Sequence, residues 1–498
     1  MKNKYPTEVL REEKRYPITV IHLISFTALF KITTFSLTDN PDGQLAAPRR
    51  PSWGRNFLKK LIAIWPQLSR KISQHVFDQP DTFSLIPVKN AFIIPGGRFK
   101  EFYYWDSYWI LKGLLLSDMK ETAKGIIDNF IYMVSTYGFV PNGGRIYYLN
   151  RSQPPVLTLM MKDYVQYTND FVFLAKRIDV LEKELQFWLK KRVTKVVKDG
   201  ESYHLAHFDS ESDTPRPESY LEDLETCSVY NTTEQQHECY TDLKSGAESG
   251  WDFTSRWIFD YEGEPDTDLT KISTRRNIPV DLNAFLYKSF RQMQYFYLIL
   301  RRHDEAKYWQ DKAEEWKINI EKVLYNTEDG IWYDYDLKLN KPRRHFAASN
   351  FAPLWANAID EDLKKERGQN AARYLKKYGI LEFHGIPSTL FTSGLQWDFP
   401  NAWSPYQNIV IFGLERSGDQ EAQSIAKALA HKWVQSNMRA FDENKVMFEK
   451  YNSLISGQFG GGGEYHIQSG FGWTNGSIME LIDYYFRVKS RKHRPIYD

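Results

Sequence analysis

The chain has 498 residues, a formal net charge of +2, and a composition that is 42% hydrophobic and 26% charged, which is typical of a globular protein. The near-neutral charge gives no field of one sign, so we expect no nucleic acid as a partner. Only two cysteines occur, Cys227 and Cys239. They show no zinc-binding spacing, so no metal is expected. They form a disulfide if the chain is secreted, and two free thiols otherwise.

Residues 1–50 are predicted to be a divergent leader and linker. Basic residues precede an apolar run at 18–29, a pattern similar to the start of a secretory signal. The run is short for a membrane span and is followed by Lys31. We therefore expect a secretory association and a secreted protein. Membrane anchoring through residues 18–37 and a cytoplasmic location are the alternatives.

The middle of the chain, residues 51–490, is predicted to be one helical domain, followed by a basic tail at 491–498. Apolar periodicity predicts about a dozen helices, largely in pairs, and few strands. No short repeat is visible, which argues against a solenoid. Paired helices wound into a ring would place their motif-bearing loops at one end, over a central cavity. Beyond an amphipathic stretch at 51–76, the predicted helices are 107–116, 120–137, 155–166, 169–193, 245–259, 281–301, 304–324, 352–358, 360–378, 401–416, 420–438 and 471–486, with 194–243 irregular and a short strand at 332–337.

Residues 95–108, PGGRFKEFYYWDSY, are the most informative stretch of the sequence. They combine two glycines, an arginine, carboxylates and six aromatic rings. Aromatic residues make up 15% of the chain, and Trp and Tyr offer a flat apolar face with a polar edge, which suits stacking against a sugar. Four later stretches repeat this mixture, beginning at Asn150, Arg216, Gly250 and Gln396. We predict that all five converge on one sugar-binding pocket.

Together these stretches resemble the trehalases, the inverting glycoside hydrolases that cut α,α-trehalose into two glucose molecules. PGGRFKEFYYWDSYW and QWDFPNAWSP look like the two signature stretches of that family. PNGGRIYYLNRSQPP, RPES, ESGWDFTSRW, FEKYN and GGGGEYHIQSGFGWTNG are similar to its other motifs. The resemblance covers residues 65–486. It implies an (α/α)6 barrel, trehalose as the substrate, and hydrolysis that needs no cofactor.

The resemblance also implies the residues of the site. Matched by position, the general acid is Asp252 and the general base is Glu449. The substrate-binding positions that it implies are Arg98, Trp105, Asp106, Asn142, Arg151, Ser152, Gln153, Arg216, Pro217, Glu218, Gly250 and Glu464.

The chemistry requires two carboxyl groups in different states. One must be protonated to donate to the leaving oxygen, and the other ionised to activate water. Inversion places water between base and sugar, so we predict that the carboxyl groups of Asp252 and Glu449 lie about 6.5–9.5 Å apart. Trp251 and Phe253 flank Asp252, and desolvation there would raise its pKa.

Several of these residues have structural alternatives. Asp252 and Asp106 are each also expected as helix N-caps, and Glu449 as a surface glutamate. Asp398 is expected to be structural. The four glycines at 460–463 resemble a phosphate-binding loop, but a lid hinged on glycine is the preferred interpretation because no Gly-Lys-Ser/Thr follows. Asn231 is the preferred glycan acceptor among three sequons.

Two alternatives for the function are kept. Residues 1–50 contain no counterpart of the family segment that precedes the first signature. This leaves open a trehalose-binding protein with lost or impaired turnover. The other alternative is a glucosidase of another helical-barrel family.

Overall fold

The computed structural model describes residues 51–463 and 465–487. The predicted leader, Glu464 and the predicted basic tail lie outside the described residues. Within them, helices alternate between an inner and an outer ring, so the predicted all-α barrel with six helix pairs is confirmed. Numbered in chain order, the inner helices are α2 (Asp106–Leu116), α4 (Leu157–Thr168), α6 (Val280–Ile299), α8 (Ala352–Ala356), α10 (Ser404–Arg416) and α12 (Gly472–Tyr485).

Each inner helix packs on the next, and α12 packs on α2, so the inner ring closes on itself. The outer helices cover this ring one by one. They are α1 (Ser52–Ile62), α3 (Lys120–Tyr137), α5 (Ile178–Lys191), α7 (His303–Leu324), α9 (Lys364–Lys377) and α11 (Gln420–Asn444). Shorter or intervening helices are Trp65–Leu68, Gln74–Asp78, Phe171–Ala175, Tyr220–Cys227 and Thr233–Ser249.

The two rings differ in sequence because they differ in burial. Residues 404–414 of inner helix α10 are all buried, so apolar residues surround most of the helix and its polar residues, such as Gln407 and Asn408, hydrogen-bond within the protein. Outer helix α11 buries one stripe, including Ala422, Leu429 and Trp433, as the periodicity predicted. Its remaining face is polar and lies on the surface.

Glycine allows the inner ring to close. Where α2 crosses α12, a Cβ on Gly113 would lie 2.8 Å from the Cα of Gly476 and 2.6 Å from the Trp65 ring. A Cβ on Gly476 would overlap the backbone carbonyl of Trp109. The first and last inner helices therefore approach each other backbone to backbone, at a separation that only glycine permits.

All sheets of the described chain are short and antiparallel. Strand β10 lies at the mouth of the barrel and pairs with β11. The strands are β1 (Ser69–Arg70), β2 (Phe92–Ile93), β3 (Val193–Lys198), β4 (Glu201–Ala206), β5 (Asn277–Ile278), β6 (Tyr325–Asn326), β7 (Ile331–Trp332), β8 (Tyr335–Asp336), β9 (Lys341–Pro342), β10 (Asn401–Trp403) and β11 (Lys450–Asn452).

Residues 194–243 are not irregular as predicted. They begin within a hairpin of β3 and β4 and include two helices. The hairpin turns at Asp199 and Gly200, which have φ values of 53° and 82°. An Asp-Gly pair with positive φ at both positions is the sequence signal of a tight hairpin, and the polar composition of the stretch concealed it.

The predicted helix at 245–259 is wrong. The helix in this region runs from Thr233 to Ser249, and Thr232 caps it through a capping box with Gln235. Gly250 ends it in the left-handed conformation, with φ of 76°. The apolar residues after Gly250 therefore belong to a loop, although their spacing suggested a helix.

A disulfide joins Cys227 to Cys239, so one of the two expected states of the cysteines is observed. It links the end of helix Tyr220–Cys227 to helix Thr233–Ser249, and both sulfurs belong to buried residues. Because the second helix leads directly to Asp252, the crosslink braces the segment that carries the predicted acid.

Among the described residues, no helix combines the length and the apolar composition that crossing a membrane requires. The predicted anchor at 18–37 lies outside the described residues.

Three basic side chains lie close together deeper in the barrel, beyond the first turns of the inner helices. The ammonium group of Lys112 lies 3.0 Å from Asp163 and 2.8 Å from Glu480. Lys288 and Arg416 each donate to the carbonyl of Trp355, near the C-terminus of α8. Cations placed there offset the negative end of a helix dipole.

The glycine contact between α2 and α12 predicts that Gly476→Ala destabilises the protein. The added methyl group would force two backbones apart, at a cost of about 1–3 kcal/mol, so thermal unfolding should begin at a lower temperature. Gly54→Ala is the matched control: its Cβ would meet Ile482 at 3.7 Å, an ordinary contact within helix α1. Equal melting temperatures for the two variants would contradict the interpretation.

Candidate active site

The segment after helix Thr233–Ser249 presents Asp252 to the mouth of the barrel. Gly250 lies against the ring of Trp105, where a Cβ would come within 2.6 Å of the ring atoms. Trp251 and Phe253 are buried, whereas Asp252 between them is partly exposed. No helix begins after Asp252, so the N-cap alternative for this residue is wrong.

Asp398 anchors the same segment from below, in agreement with its expected structural role. Its buried carboxylate accepts hydrogen bonds from the Thr254 hydroxyl at 2.7 Å and from the Ser255 amide at 2.7 Å. Thr389 and Ser393 also donate to it. A carboxylate with this many donors can remain buried because its lone pairs are satisfied. The segment behind Asp252 is thereby fixed to the QWDF motif.

Indole rings build the floor between these segments. Trp251 stacks on Trp397 at 4.8 Å between ring centroids, and Trp397 stacks on Trp403 at 3.9 Å. Trp105 and Trp473 contact the same cluster at its edge. All five rings are buried, so the cluster is a rigid apolar support behind the segments that carry Asp252 and Glu449.

Glu449 lies immediately before strand β11 and is 2% exposed, so the surface alternative is wrong. Its Oε1 accepts a hydrogen bond from the Tyr465 hydroxyl at 2.8 Å. Its backbone carbonyl accepts from the Trp473 indole at 3.1 Å. Its Oε2 is buried and accepts no hydrogen bond from the described residues. One oxygen of Glu449 is thus held in place, and the other is available to a ligand.

Burial raises the pKa of Glu449 to about 7. The cation of Lys450 and the hydroxyl of Tyr465 partly oppose this rise, and the nearby charge of Asp252 adds to it. The charge of Asp252 thus acts on Glu449, which places the two carboxyl groups near each other. The sequence predicted a raised pKa for Asp252, and this stays a prediction, as does the separation of the two carboxyl groups.

Asp106 lies near the same two groups, at the start of α2. The helix begins at this residue, and no side chain caps it, so the N-cap alternative for Asp106 is wrong. Burial raises its pKa well above the ordinary value, and the charges of Glu449 and Asp252 raise it further. Three carboxyl groups thus share one desolvated site, which disfavours the simultaneous ionisation of all three.

Three predicted arginines lie around the site in different settings. Arg98 is exposed, and its guanidinium lies 5.1 Å from the centroid of the Tyr465 ring. Arg151 is buried and pairs with Glu218 through one nitrogen, while its Nε and Nη1 have no acceptor among the described residues. Arg216 is buried above the Phe253 ring and pairs with Asp223.

Glu218 completes this charged rim, next to the exposed Pro217. Burial alone would raise the pKa of Glu218, but the guanidinium groups of Arg151 and Arg216 lower it below the ordinary value. Glu218 is therefore an ionised acceptor, placed beside the unpaired donors of Arg151.

Other predicted positions support the site from behind. Gln153 accepts from the Trp105 amide at 3.0 Å, and Asn142 donates to the carbonyls of Ser152 and Ala247. The Ser152 hydroxyl donates to a backbone carbonyl, and its amide to Glu248. Ser152 is fully enclosed and bonded to protein at both groups. Glu464 lies outside the described residues.

The glycine run at 460–463 lies against the QWDF motif. Gly461 and Asn401 exchange two hydrogen bonds, and the Gly463 amide donates to the Gly394 carbonyl. A Cβ on Gly463 would meet the side chain of Gln396 at 2.7 Å. Gly460, Gly462 and Gly463 are thus required by close contact, whereas a Cβ on Gly461 would meet nothing within 4 Å. The lid that the sequence predicted stays a prediction.

Comparison with known proteins identifies the family. The family model described as Trehalase matches residues 31–486. The chain is 51% identical to a trehalase of Tenebrio molitor over 455 residues, which is 91% of this chain and 82% of that protein.

The chain belongs to the trehalase family.

Other trehalase relatives are more distant in sequence. The trehalase of Homo sapiens is 44% identical over 432 residues, covering 86% of this chain and 73% of the human protein. Among solved structures, neutral trehalase from Saccharomyces cerevisiae superposes with a TM-score of 0.60 at 23% identity, covering 83% and 80% of the two chains. A mannosylglycerate hydrolase from Thermus thermophilus reaches 0.55 at 16% identity, covering 84% and 98%. Both structures show a shared fold.

Three further residues of this trehalase-family site had no role assigned to them from the sequence. Tyr465 donates to Glu449, and Gln396 donates to the backbone carbonyl of Asp252. Lys450 is buried and donates to Gln396 at 3.2 Å. All three lie in the family motifs, next to or near predicted site residues. Their positions in those motifs were the signal that could have identified them.

The described residues contain no group of three or more His, Cys, Asp or Glu side chains arranged to hold a metal ion. The donors around the site are instead arginines, amides and a tyrosine hydroxyl.

The raised pKa of Glu449 predicts an effect on stability that does not depend on activity. A carboxyl group with a pKa of about 7 when folded and 4.5 when unfolded binds more protons in the folded state, so stability is lost as pH rises from about 4.5 to about 7. Glu449→Gln removes this loss. At pH 8 the variant should be more stable than wild type by at most about 3 kcal/mol and should melt at a higher temperature. At pH 4 its melting temperature should equal that of wild type.

Glu361→Gln, at an exposed glutamate on the surface, is the control and should change the melting temperature little at either pH. If Glu449→Gln had the same effect at both pH values, the raised pKa of Glu449 would be refuted.

Proposed function

We propose that this trehalase-family protein hydrolyses α,α-trehalose by inversion, with Asp252 as the general acid and Glu449 as the general base. The observation that supports the proposal is that Asp252 lies near enough for its charge to raise the pKa of the buried Glu449, one oxygen of which accepts no hydrogen bond from the described residues. Trehalose joins two anomeric carbons through one oxygen, so bond cleavage needs a proton on that oxygen and a water molecule at one of the carbons.

In this mechanism Asp252 donates its proton to the glycosidic oxygen as the bond breaks. Glu449 accepts a proton from water through its unoccupied Oε2, while Tyr465 holds Oε1 and thereby fixes the direction of the carboxylate. A base with a pKa near 7 combines a usable ionised fraction with proton affinity. For inversion, we expect the carboxyl separation to be about 6.5–9.5 Å.

The arginines and acids of the rim suit a polyhydroxyl substrate. Arginine donates hydrogen bonds and accepts none, so the free Nε and Nη1 of Arg151 match hydroxyl lone pairs. Glu218 beside it, ionised, accepts from hydroxyl protons. Asp106, with its raised pKa, can donate or accept. These residues would bind the sugars without a cofactor.

Turnover of trehalose should depend on both carboxyl groups. Asp252→Asn and Glu449→Gln should each lower kcat for glucose release from trehalose by about 10²–10⁴-fold, the usual contribution of a general acid or base. Asp268→Asn, at an exposed carboxylate of a nearby loop that caps its own turn, is the matched control and should retain activity. If Asp252→Asn kept wild-type turnover, the assignment of the acid would be wrong.

The same assay separates the alternatives. Inversion at one carbon yields one α- and one β-glucose per trehalose, so proton NMR before mutarotation should show equal amounts of both anomers. A preference for maltose would indicate another glucosidase. Trehalose binding by calorimetry without glucose release would indicate the binding protein with lost turnover.

We also propose that the protein follows the secretory route. Disulfides persist in oxidising compartments, and the Cys227–Cys239 bond encloses the exposed Asn231 of an Asn-Thr-Thr sequon. The other sequon residues suit a glycan less well, since Asn475 is fully buried and Asn150 is partly buried in a site loop.

In a eukaryotic secretion host, we expect a glycan at Asn231 that peptide-N-glycosidase F removes. Thr233→Ser keeps the sequon and should keep the mass shift, whereas Thr233→Ala should abolish it. The cysteines should resist alkylation until the protein is reduced. A secreted protein with two alkylatable thiols and no glycan would contradict the proposal.

A further inference from the structure

Lys450 is a buried lysine next to the proposed base. It lies in strand β11, opposite Trp403 of β10, and its side chain is fully enclosed. Its ammonium group lies 5.1 Å from the centroid of the Trp403 ring and 5.7 Å from that of Tyr465. A buried ammonium group carries a large desolvation cost, so its retention beside two carboxyl groups requires an explanation.

The hydrogen bonds of Lys450 connect three separate segments of the site. Its Nζ donates to the side-chain oxygen of Gln396 at 3.2 Å and to the carbonyl of Gly462 at 3.2 Å. The amide nitrogen of Gln396 in turn donates to the backbone carbonyl of Asp252. A continuous path therefore runs from the residue next to Glu449, through Gln396, to the backbone of Asp252, with a branch to the glycine run.

We propose that Lys450 is a positioning residue, whose ammonium group ties the strand that carries the base to the segment that carries the acid and favours the ionised form of Glu449. This inference rests on the proposed function. We name the arrangement of Lys450, Gln396 and the Asp252 carbonyl the lysine clasp. No atom of the clasp takes part in bond cleavage. The clasp fixes the positions of the two reacting groups relative to each other.

The charges around Glu449 support this role. The charge of Asp252 disfavours its ionisation, and the charge of Glu449 in turn raises the pKa of Asp106. Tyr465 donates to it, and Lys450 is the cation that most strongly opposes the rise of its pKa. Arg98 lies on the outer side of the Tyr465 ring. Burial lowers the pKa of Lys450 to about 8, and Glu449 and Asp252 keep it from falling further.

A purely structural lysine would predict a different outcome. Such a residue would stabilise the β10–β11 region through its contacts with Gly462 and Trp403, and its loss would lower the melting temperature without changing the proton affinity of Glu449. The pH dependence of kcat/KM separates the two roles, because its acid limb reports the protonation of the base in the free enzyme.

The experiment compares Lys450→Met with Lys450→Arg in the full chain, with trehalose as the substrate. Without the cation, Glu449 becomes protonated at higher pH, so the acid limb for Lys450→Met should move upward by about one pH unit, and kcat should fall about tenfold or more. Lys450→Arg keeps the charge, so its limb should stay at the wild-type position. Its kcat should still fall, because the planar guanidinium matches the ammonium geometry poorly.

Lys432→Met is the matched control, since Lys432 also donates to a backbone carbonyl, that of Leu381, outside the site. Its limb and its kcat should match wild type. An acid limb for Lys450→Met that coincides with wild type would overturn the inference, whatever happens to the melting temperature. Failure of the proposed function would look different, because the wild-type protein itself would release no glucose.

Gln396→Leu keeps the test decisive if Lys450→Met does not fold. It breaks the clasp but leaves the cation, so kcat should fall at least tenfold while the acid limb stays in place. Wild-type kcat for Gln396→Leu would show that the clasp positions nothing and would overturn the inference.

Discussion

The site depends on holding carboxyl groups close together, although each charged carboxylate raises the pKa of its neighbours and so favours their protonation. Asp106, Asp252 and Glu449 face a common desolvated space, and each disfavours the ionisation of its neighbours. Because neighbouring carboxylates raise one another's pKa, the proposed acid and the proposed base can hold different protonation states near neutral pH. The hydrogen bond from Tyr465 and the charge of Lys450 bias that distribution toward an ionised Glu449.

The barrel supplies what such an arrangement needs, namely fixed positions. The carboxyl groups come from segments far apart in sequence, and each segment is held by a hydrogen bond. Asp398 accepts from the loop that carries Asp252, the proposed acid, and Trp473 donates to the backbone carbonyl of Glu449. Ring closure through Gly113 and Gly476 brings α2 and α12 together, and with them Asp106 and the residues around Glu449. Backbone contact at that crossing thus bears directly on the geometry of the site.

Much of this architecture could be predicted from the sequence, because apolar periodicity is a property of the helices themselves. Outer helix α3 was predicted at its observed bounds, and α11 showed its buried stripe. The helix before Asp252 was misplaced, since its end depends on one left-handed glycine and its start on a polar capping box. Lys450 and Tyr465 had no role assigned to them from the sequence, because their roles arise from contacts across the barrel mouth that no local pattern records.

The parallel arrangement of the inner helices has a further electrical consequence. Helices α2, α6, α10 and α12 begin at or near the site, whereas Lys112, Lys288 and Arg416 lie deeper in the bore. Aligned peptide dipoles place partial positive charge at the starts and partial negative charge at the ends. The helix dipoles therefore place partial positive charge near Asp106 and Glu449 and partial negative charge toward the basic cluster, where Lys112 also pairs with Asp163 and Glu480. The aligned helix dipoles thus help to stabilise the negative charges at the mouth of the barrel.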